Sequence, residues 1–166
     1  LDLACGGNSL MQVDMVENLG NGVFAAPIAL STTQNFSQLR LVDLDGGLPE
    51  IVLNYGKKIA IRSNLSGFAF GPEQITAFAG FGHDMQIADV DLDGRKDVLL
   101  SDDNYNCLIV LRGDPTTATG FQAQHFGTVP KPTGIALGDF DGDGRPDLAV
   151  GSSQTVSPLA VLLNQQ

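Results

Sequence analysis

Asp139-Phe140-Asp141-Gly142-Asp143-Gly144-Arg145-Pro146-Asp147, running directly into Leu148-Ala149-Val150-Gly151, is the stretch whose reading decides the fold. It sets carboxylates at positions 1, 3, 5 and 9 of a nine-residue loop, and its glycines permit the tight turns that aim successive oxygens inward. A hard cation is the simplest way to hold four like charges together. The same spacing recurs in Asp89-Val90-Asp91-Leu92-Asp93-Gly94-Arg95-Lys96-Asp97, followed by Val98-Leu99-Leu100. A third copy, Leu41-Val42-Asp43-Leu44-Asp45-Gly46-Gly47-Leu48-Pro49-Glu50, reads against these as lacking the first carboxylate and carrying one extra residue before the last. Asp2-Leu3-Ala4-Cys5 reads against Asp147-Leu148-Ala149-Val150 as the tail of a fourth loop, so the chain is expected to open inside a repeat.

Matching Asp43 to Asp91 and Asp91 to Asp141 gives periods of 48 and 50 residues, the range in which propeller blades recur. Between the loops lie short β-branched or aromatic runs broken by Gly, Asn, Ser and Pro, without an apolar stripe of helical period. The expected fold is all-β: a partial β-propeller of four-stranded antiparallel blades, with the acidic loop between strands A and B of each. The expected units are 1–36, 37–84, 85–132 and 133–166, the first and last incomplete. Strands are expected at 3–5, 11–17 and 23–30; 38–42, 51–54, 58–62 and 68–78; 86–90, 98–101, 107–112 and 121–126; and 134–138, 148–151 and 159–163. The first unit then lacks A and the last lacks D. Blades bury their faces only against neighbouring blades, so the expectation is a segment of a six- or seven-bladed propeller whose further blades come from additional sequence or another chain.

The net charge of −10 comes from 19 acids against 9 bases, and twelve of those acids lie in the loop family. The acidity is therefore local and has a candidate counter-ion. No basic stripe suits nucleic acid, and no stretch has the length of a transmembrane helix. Cys5 and Cys107 fall inside apolar strand patterns of different repeats and are expected as buried free thiols, with a disulfide as the alternative. Asn35-Phe36-Ser37 and Asn64-Leu65-Ser66 have the form of glycosylation sequons.

In the two complete loops Asp89, Asp91, Asp93 and Asp97, and Asp139, Asp141, Asp143 and Asp147, are expected to offer side-chain oxygens, and Arg95 and Arg145 their backbone carbonyls. With waters this reaches the six to eight oxygens that Ca2+ prefers, whereas Mg2+ keeps more of its water. The loops hold no cysteine or histidine for a softer metal. A helix-loop-helix calcium hand shares the opening but needs Glu at position 12, where Leu100 and Val150 stand. Turn-forming aspartates without a cation are the competing account, strongest at 41–50, where Asp43, Asp45 and Glu50 form an empty or weak third site.

These loops, quoted as Ile87-Ala88-Asp89 through Leu100 and Leu137-Gly138-Asp139 through Gly151, resemble the FG-GAP or VCBS repeat family, the calcium-loop propeller repeats of integrin alpha subunits and many secreted microbial and fungal proteins. The likeness extends more weakly through Leu19-Gly20-Asn21-Gly22-Val23-Phe24 and Gly67-Phe68-Ala69-Phe70-Gly71, which look like the family's turn into strand D. The resemblance implies calcium, a propeller and an extracellular or secreted setting; the family serves as adhesion modules, lectins and companions of catalytic domains.

Other chemistry is sparse. His83 and His125 have no serine or cysteine nucleophile at a motif spacing, and Asp102-Asp103-Asn104-Tyr105 reads as a polar B-to-C turn. The expected function is extracellular recognition of a carbohydrate or protein ligand by a segment without catalysis of its own. The alternative is the noncatalytic propeller portion of a polysaccharide-active or sugar-converting enzyme.

Overall fold

The structure, a computed structural model, describes residues 3–6, 11–117 and 120–165. These form eighteen strands: β1 (Leu3–Gly6), β2 (Gln12–Val16), β3 (Asn18–Gly20), β4 (Val23–Phe24), β5 (Ile28–Ser31), β6 (Gln38–Val42), β7 (Glu50–Asn54), β8 (Lys58–Arg62), β9 (Asn64–Ser66), β10 (Ala69–Phe70), β11 (Gln74–Ala77), β12 (Met85–Ala88), β13 (Asp97–Asp102), β14 (Cys107–Gly113), β15 (Phe121–Gly127), β16 (Pro132–Gly138), β17 (Asp147–Ser152) and β18 (Leu159–Leu162). All pairings are antiparallel. They build four sheets, β1-β2-β5, β6-β7-β8-β11, β12-β13-β14-β15 and β16-β17-β18, and two small hairpins, β3-β4 and β9-β10. An all-β chain of blade-like sheets of three and four strands is what the short β-branched runs called for.

Two of the long D strands expected from sequence are broken. Residues 23–30 divide into β4, which pairs with β3, and β5, which joins the first sheet, with Pro27 between them. Residues 68–78 divide in the same way around Pro72. Proline cannot donate to a ladder. The third unit has no proline at that place, and β15 runs unbroken over seven residues.

The sheets stack face to face, and alternation along each strand decides which neighbour a side chain meets. In β7, Ile51 and Leu53 pack with Val13 and Met15 of the first sheet, while Val52 turns the other way to pack with Val98, Leu100 and Ile109 of the third. Both faces of β7 are covered, which is why the strand reads as a continuous apolar run and every one of its residues is buried. In β13 and β14 the same division sends Leu99, Leu108 and Val110 toward Ile135 and Val150 of the fourth sheet. The end sheets have one such covered face each. Leu3 and Ile28 of the first sheet and Leu159 and Val161 of the fourth are exposed.

Cys107 is buried as expected, but Cys5 is exposed on the open face of the first sheet, the alternate face from Val13 and Met15. Both are free thiols.

Candidate metal centre

Each acidic loop connects the first strand of a sheet, which stands at its edge, to the next. Val42 pairs with Glu50, Ala88 with Asp97 and Gly138 with Asp147, so the first loop residue is Asp43, Asp89 or Asp139 in turn. The hydrogen bonds agree. The backbone N–H of Leu44 donates to Glu50 Oε2 at 3.0 Å, that of Val90 to Asp97 Oδ2 at 2.9 Å and that of Phe140 to Asp147 Oδ2 at 2.8 Å. The fourth loop residue is left-handed in all three, with φ of 91° at Gly46, 60° at Leu92 and 81° at Gly142.

This register corrects the sequence alignment of the 41–50 loop. It does not lack the first carboxylate: Asp43 holds that place and Asp45 the third. What is missing is the carboxylate at position 5, where Gly47 stands, and the loop is one residue shorter rather than longer. Glutamate's extra methylene lets Glu50 reach the Leu44 N–H from position 8. The repeat spacings become 46 residues from Asp43 to Asp89 and 50 from Asp89 to Asp139.

The first aspartate organises each turn. Asp43 Oδ1 accepts the N–H groups of Gly46 at 2.7 Å and Gly47 at 2.9 Å; Asp89 accepts those of Asp93 and Gly94, and Asp139 those of Gly142 and Gly144. In consequence one oxygen each from Asp43, Asp45 and Glu50, from Asp89, Asp91 and Asp97, and from Asp139, Asp141 and Asp147 come within 4.8 Å of one another. Asp93 and Asp143 stand outside these groups, and each receives on its Oδ1 the N–H of its own loop's arginine, Arg95 at 2.8 Å and Arg145 at 2.9 Å. Arg112 lies 3.5 Å from Asp91. Asp2 lies outside the described residues.

The last carboxylate of each loop is buried beneath the first two. Burial pushes Asp97 above the ordinary aspartate range, and the charges of Asp91 and Asp93 add to this against the N–H groups of Gly113 and Val90. Glu50 is raised in the same way, by burial first and then by Asp45 and Asp43, against the Leu44 N–H. Asp147 is equally inaccessible, yet the N–H groups of Asn164 and Phe140 outweigh its burial and hold it low. Its sheet is packed on one face only, so fewer protein atoms displace water around it. Three hard oxygens per loop, partly exposed and without enough positive charge beside them, are a donor set able to coordinate a divalent cation.

Residues 89–150 match the FG-GAP-like repeat family. The FG-GAP-like stretch takes in two of the three loops whole and ends inside β17. The 43–50 loop lies outside it, and its equivalence rests on the pairing, the hydrogen bonds and the left-handed fourth residue described above. No curated protein matches the chain.

A recurrent asparagine escaped the sequence reading. Strand pairing makes Asn164 the counterpart of Asn64 and of Gly113. Asn64 Nδ2 donates to the carbonyl of Pro49 at 3.2 Å, and Asn164 Nδ2 to those of Val90 at 2.6 Å and Pro146 at 3.4 Å. These amides clamp the end of the third strand of a unit to the peptide before the last carboxylate. The signal available was an asparagine two residues past strand C in three units, at Asn18, Asn64 and Asn164.

The remaining candidates are structural. Asp102 is fully buried and accepts the N–H groups of Phe81, Asn104 and Tyr105, so its turn is built around a carboxylate rather than merely solvated. His83 is half exposed, 3.9 Å from Asp103. His125 Nδ1 lies 3.8 Å from Cys107 Sγ, but burial and the Asp102 charge push that thiol up, the opposite of what a nucleophile needs. No helix among the described residues is long and apolar enough to cross a membrane.

Proposed function

We propose that the chain is a calcium-stabilised segment of a β-propeller that serves extracellular recognition of a carbohydrate or protein ligand and carries no catalysis of its own. The observation that supports this most is the repetition: three loops bring the same three carboxylate positions together at the same junction of successive sheets. Turn aspartates alone have no need to converge a second and third carboxylate on the first, since like charges repel.

In this reading Asp89, Asp91, Asp93 and Asp97 with the Arg95 carbonyl, and Asp139, Asp141, Asp143 and Asp147 with the Arg145 carbonyl, hold two calcium ions. Asp43, Asp45 and Glu50 hold a third, more weakly, because Gly47 brings no oxygen in place of Asp93 or Asp143. Bound calcium neutralises the converged charge and fixes the junction of the first two strands in each sheet. Partly exposed loops of this kind suit dissociation constants of about 10⁻⁴ to 10⁻³ M, the range of extracellular modules. Partners are further blades together with a glycan or protein ligand.

The test is isothermal titration of the chelator-treated chain with calcium and with magnesium, followed by a glycan array probed with the calcium-loaded chain. Calcium-selective binding near three per chain is expected. Heat signals identical to those of buffer would overturn the metal reading, and a blank array would confine the ligand to protein.

A further inference from the structure

The residue before the last carboxylate of each acidic loop is Pro49, Lys96 or Pro146, and only the lysine brings an N–H. Against these three stand Asn64, Gly113 and Asn164 in turn. The two differences go together. Where proline removes the backbone donor, an asparagine amide stands beside it. Where lysine keeps the donor, glycine stands there, and a Cβ on Gly113 would lie 3.1 Å from the Lys96 carbonyl oxygen.

In two of the three units this donor reaches the acidic loop of the preceding sheet. Lys96 N–H donates to Leu44 O at 3.3 Å, and Asn164 Nδ2 donates to Val90 O at 2.6 Å. Leu44 and Val90 are the second residues of their loops, each standing between two of the carboxylates that converge, Asp43 and Asp45 or Asp89 and Asp91. Their own N–H groups donate to the last carboxylate of the same loop, Glu50 or Asp97. Their side chains pack into the contact with the following sheet. Each is therefore held by its own loop through its N–H and by the next loop through its carbonyl. On the donating side, Lys96 directly precedes Asp97, and Asn164 also gives its backbone N–H to Asp147 Oδ1 at 2.8 Å.

We propose that consecutive cation sites are coupled in series through Leu44 and Val90, with Asn164 as the positioning residue that carries the coupling between the 89–97 and 139–147 loops. Converged carboxylates repel one another. A cation that gathers Asp89, Asp91 and Asp97 fixes Val90 among them, and the fixed carbonyl holds the Asn164 amide whose backbone N–H steadies Asp147. The same path runs from Asp43, Asp45 and Glu50 through Leu44 to Lys96 and Asp97. Binding at one loop then favours binding at its neighbour, and the effect is reciprocal. The inference rests on the calcium reading proposed above and adds to it that neighbouring sites fill together.

The experiment titrates the chelator-treated 166-residue chain with calcium and follows the loop glycines by amide NMR. Gly46, Gly94 and Gly144 report one loop each, since their N–H groups donate to Asp43, Asp89 and Asp139. In the parent chain the Gly94 curve is expected to be steeper than a one-site isotherm. Asp139→Ala is expected to raise the calcium concentration at the Gly94 midpoint about fivefold, the lower end of ordinary coupling, although Asp139 belongs to another sheet. Asn164→Ala keeps the backbone donor to Asp147, loses both amide contacts, and is expected to move the Gly94 midpoint as far. The double variant should move it little further, because both changes interrupt one link. Fully additive effects would make Asn164 a support of the Val90 turn and overturn its part in coupling. One-site curves at every glycine, with the Gly94 midpoint unmoved in Asp139→Ala, overturn the coupling and leave the calcium reading intact. Loop glycines that do not respond to calcium overturn both. Should Asn164→Ala fail to fold, the parent curve and Asp139→Ala still decide.

Discussion

Gly113 donates its backbone N–H to Oδ1 of Asp97 at 2.9 Å. The other oxygen of that carboxylate receives the Val90 N–H at 2.9 Å, so one buried side chain joins the end of β14 to the start of the acidic loop. In the fourth sheet Asp147 makes the same pair of contacts with Asn164 and Phe140, each at 2.8 Å. The ninth residue of these loops is therefore a structural acceptor in its own right.

Asp97→Ala is expected to destabilise the chain even when a chelator has removed every divalent cation. Two N–H groups lose their acceptor, and a buried donor left unsatisfied costs about 1–3 kcal/mol. Asp97→Asn keeps one acceptor oxygen and is expected to lose less than Asp97→Ala. Urea unfolding of the three proteins in chelator measures both differences; equal midpoints for all three would assign Asp97 to the cation alone.

Asp43→Ala, Asp89→Ala and Asp139→Ala are each expected to remove one calcium site, because the corrected register gives all three the same place. Calcium at 100 times its dissociation constant stabilises the folded chain by about 2.7 kcal/mol per site, and each substitution should shrink the melting-temperature gain by roughly one site's share. If Asp43→Ala left that gain intact while the other two reduced it, the 43–50 loop would be a turn and nothing more.

The all-β class and most strands were legible because β-branched runs between turn residues leave little choice, and the Asp-x-Asp-x-Asp spacing is visible without coordinates. The register of the 41–50 loop was not. Aligning its Asp-Leu-Asp-Gly on Asp-Leu-Asp-Gly of 91–94 is the natural choice by letter, but Val42 pairing with Glu50 is a fact of the ladder, and it moves the match by two residues. The splitting of the outer strands was readable from Pro27 and Pro72, since each removes a ladder donor. The asparagine clamps could not be inferred from local sequence alone, because their acceptors at Pro49 and Val90 lie 15 and 74 residues away.

Leu92→Gly is expected to stabilise the chain by up to about 1 kcal/mol. Leu92 holds φ at 60° where the other two loops have glycine, and a left-handed residue with a Cβ costs roughly 1–2 kcal/mol, part of which glycine returns as unfolded-state entropy. The side chain is mostly exposed, so little burial is lost. Thermal unfolding in chelator checks the sign, and a clear decrease would mean that the leucine makes contacts worth more than its strain.

Acid should act on the cation-free chain in two opposite stages. Asp97 and Glu50 have folded values raised above their ordinary 3.8 and 4.5, so in the window above those values the folded chain keeps protons that the unfolded chain has released. Stability there rises as pH falls and is lost as pH climbs through the raised values. Asp147 is held below 3.8; its contribution is complete above 3.8 and disappears as pH drops through the lowered value. The melting temperature in chelator is therefore expected to climb on acidification from neutrality, then turn down below about 3.8. Calcium reverses the first stage, because it favours the ionised carboxylates with which protons compete. The gap between the calcium and chelator curves should widen as pH rises. Asp97→Asn should flatten the upper part of the chelator curve and leave the low-pH fall in place; a chelator curve that falls steadily from pH 7 downward would show that other groups govern the acid response.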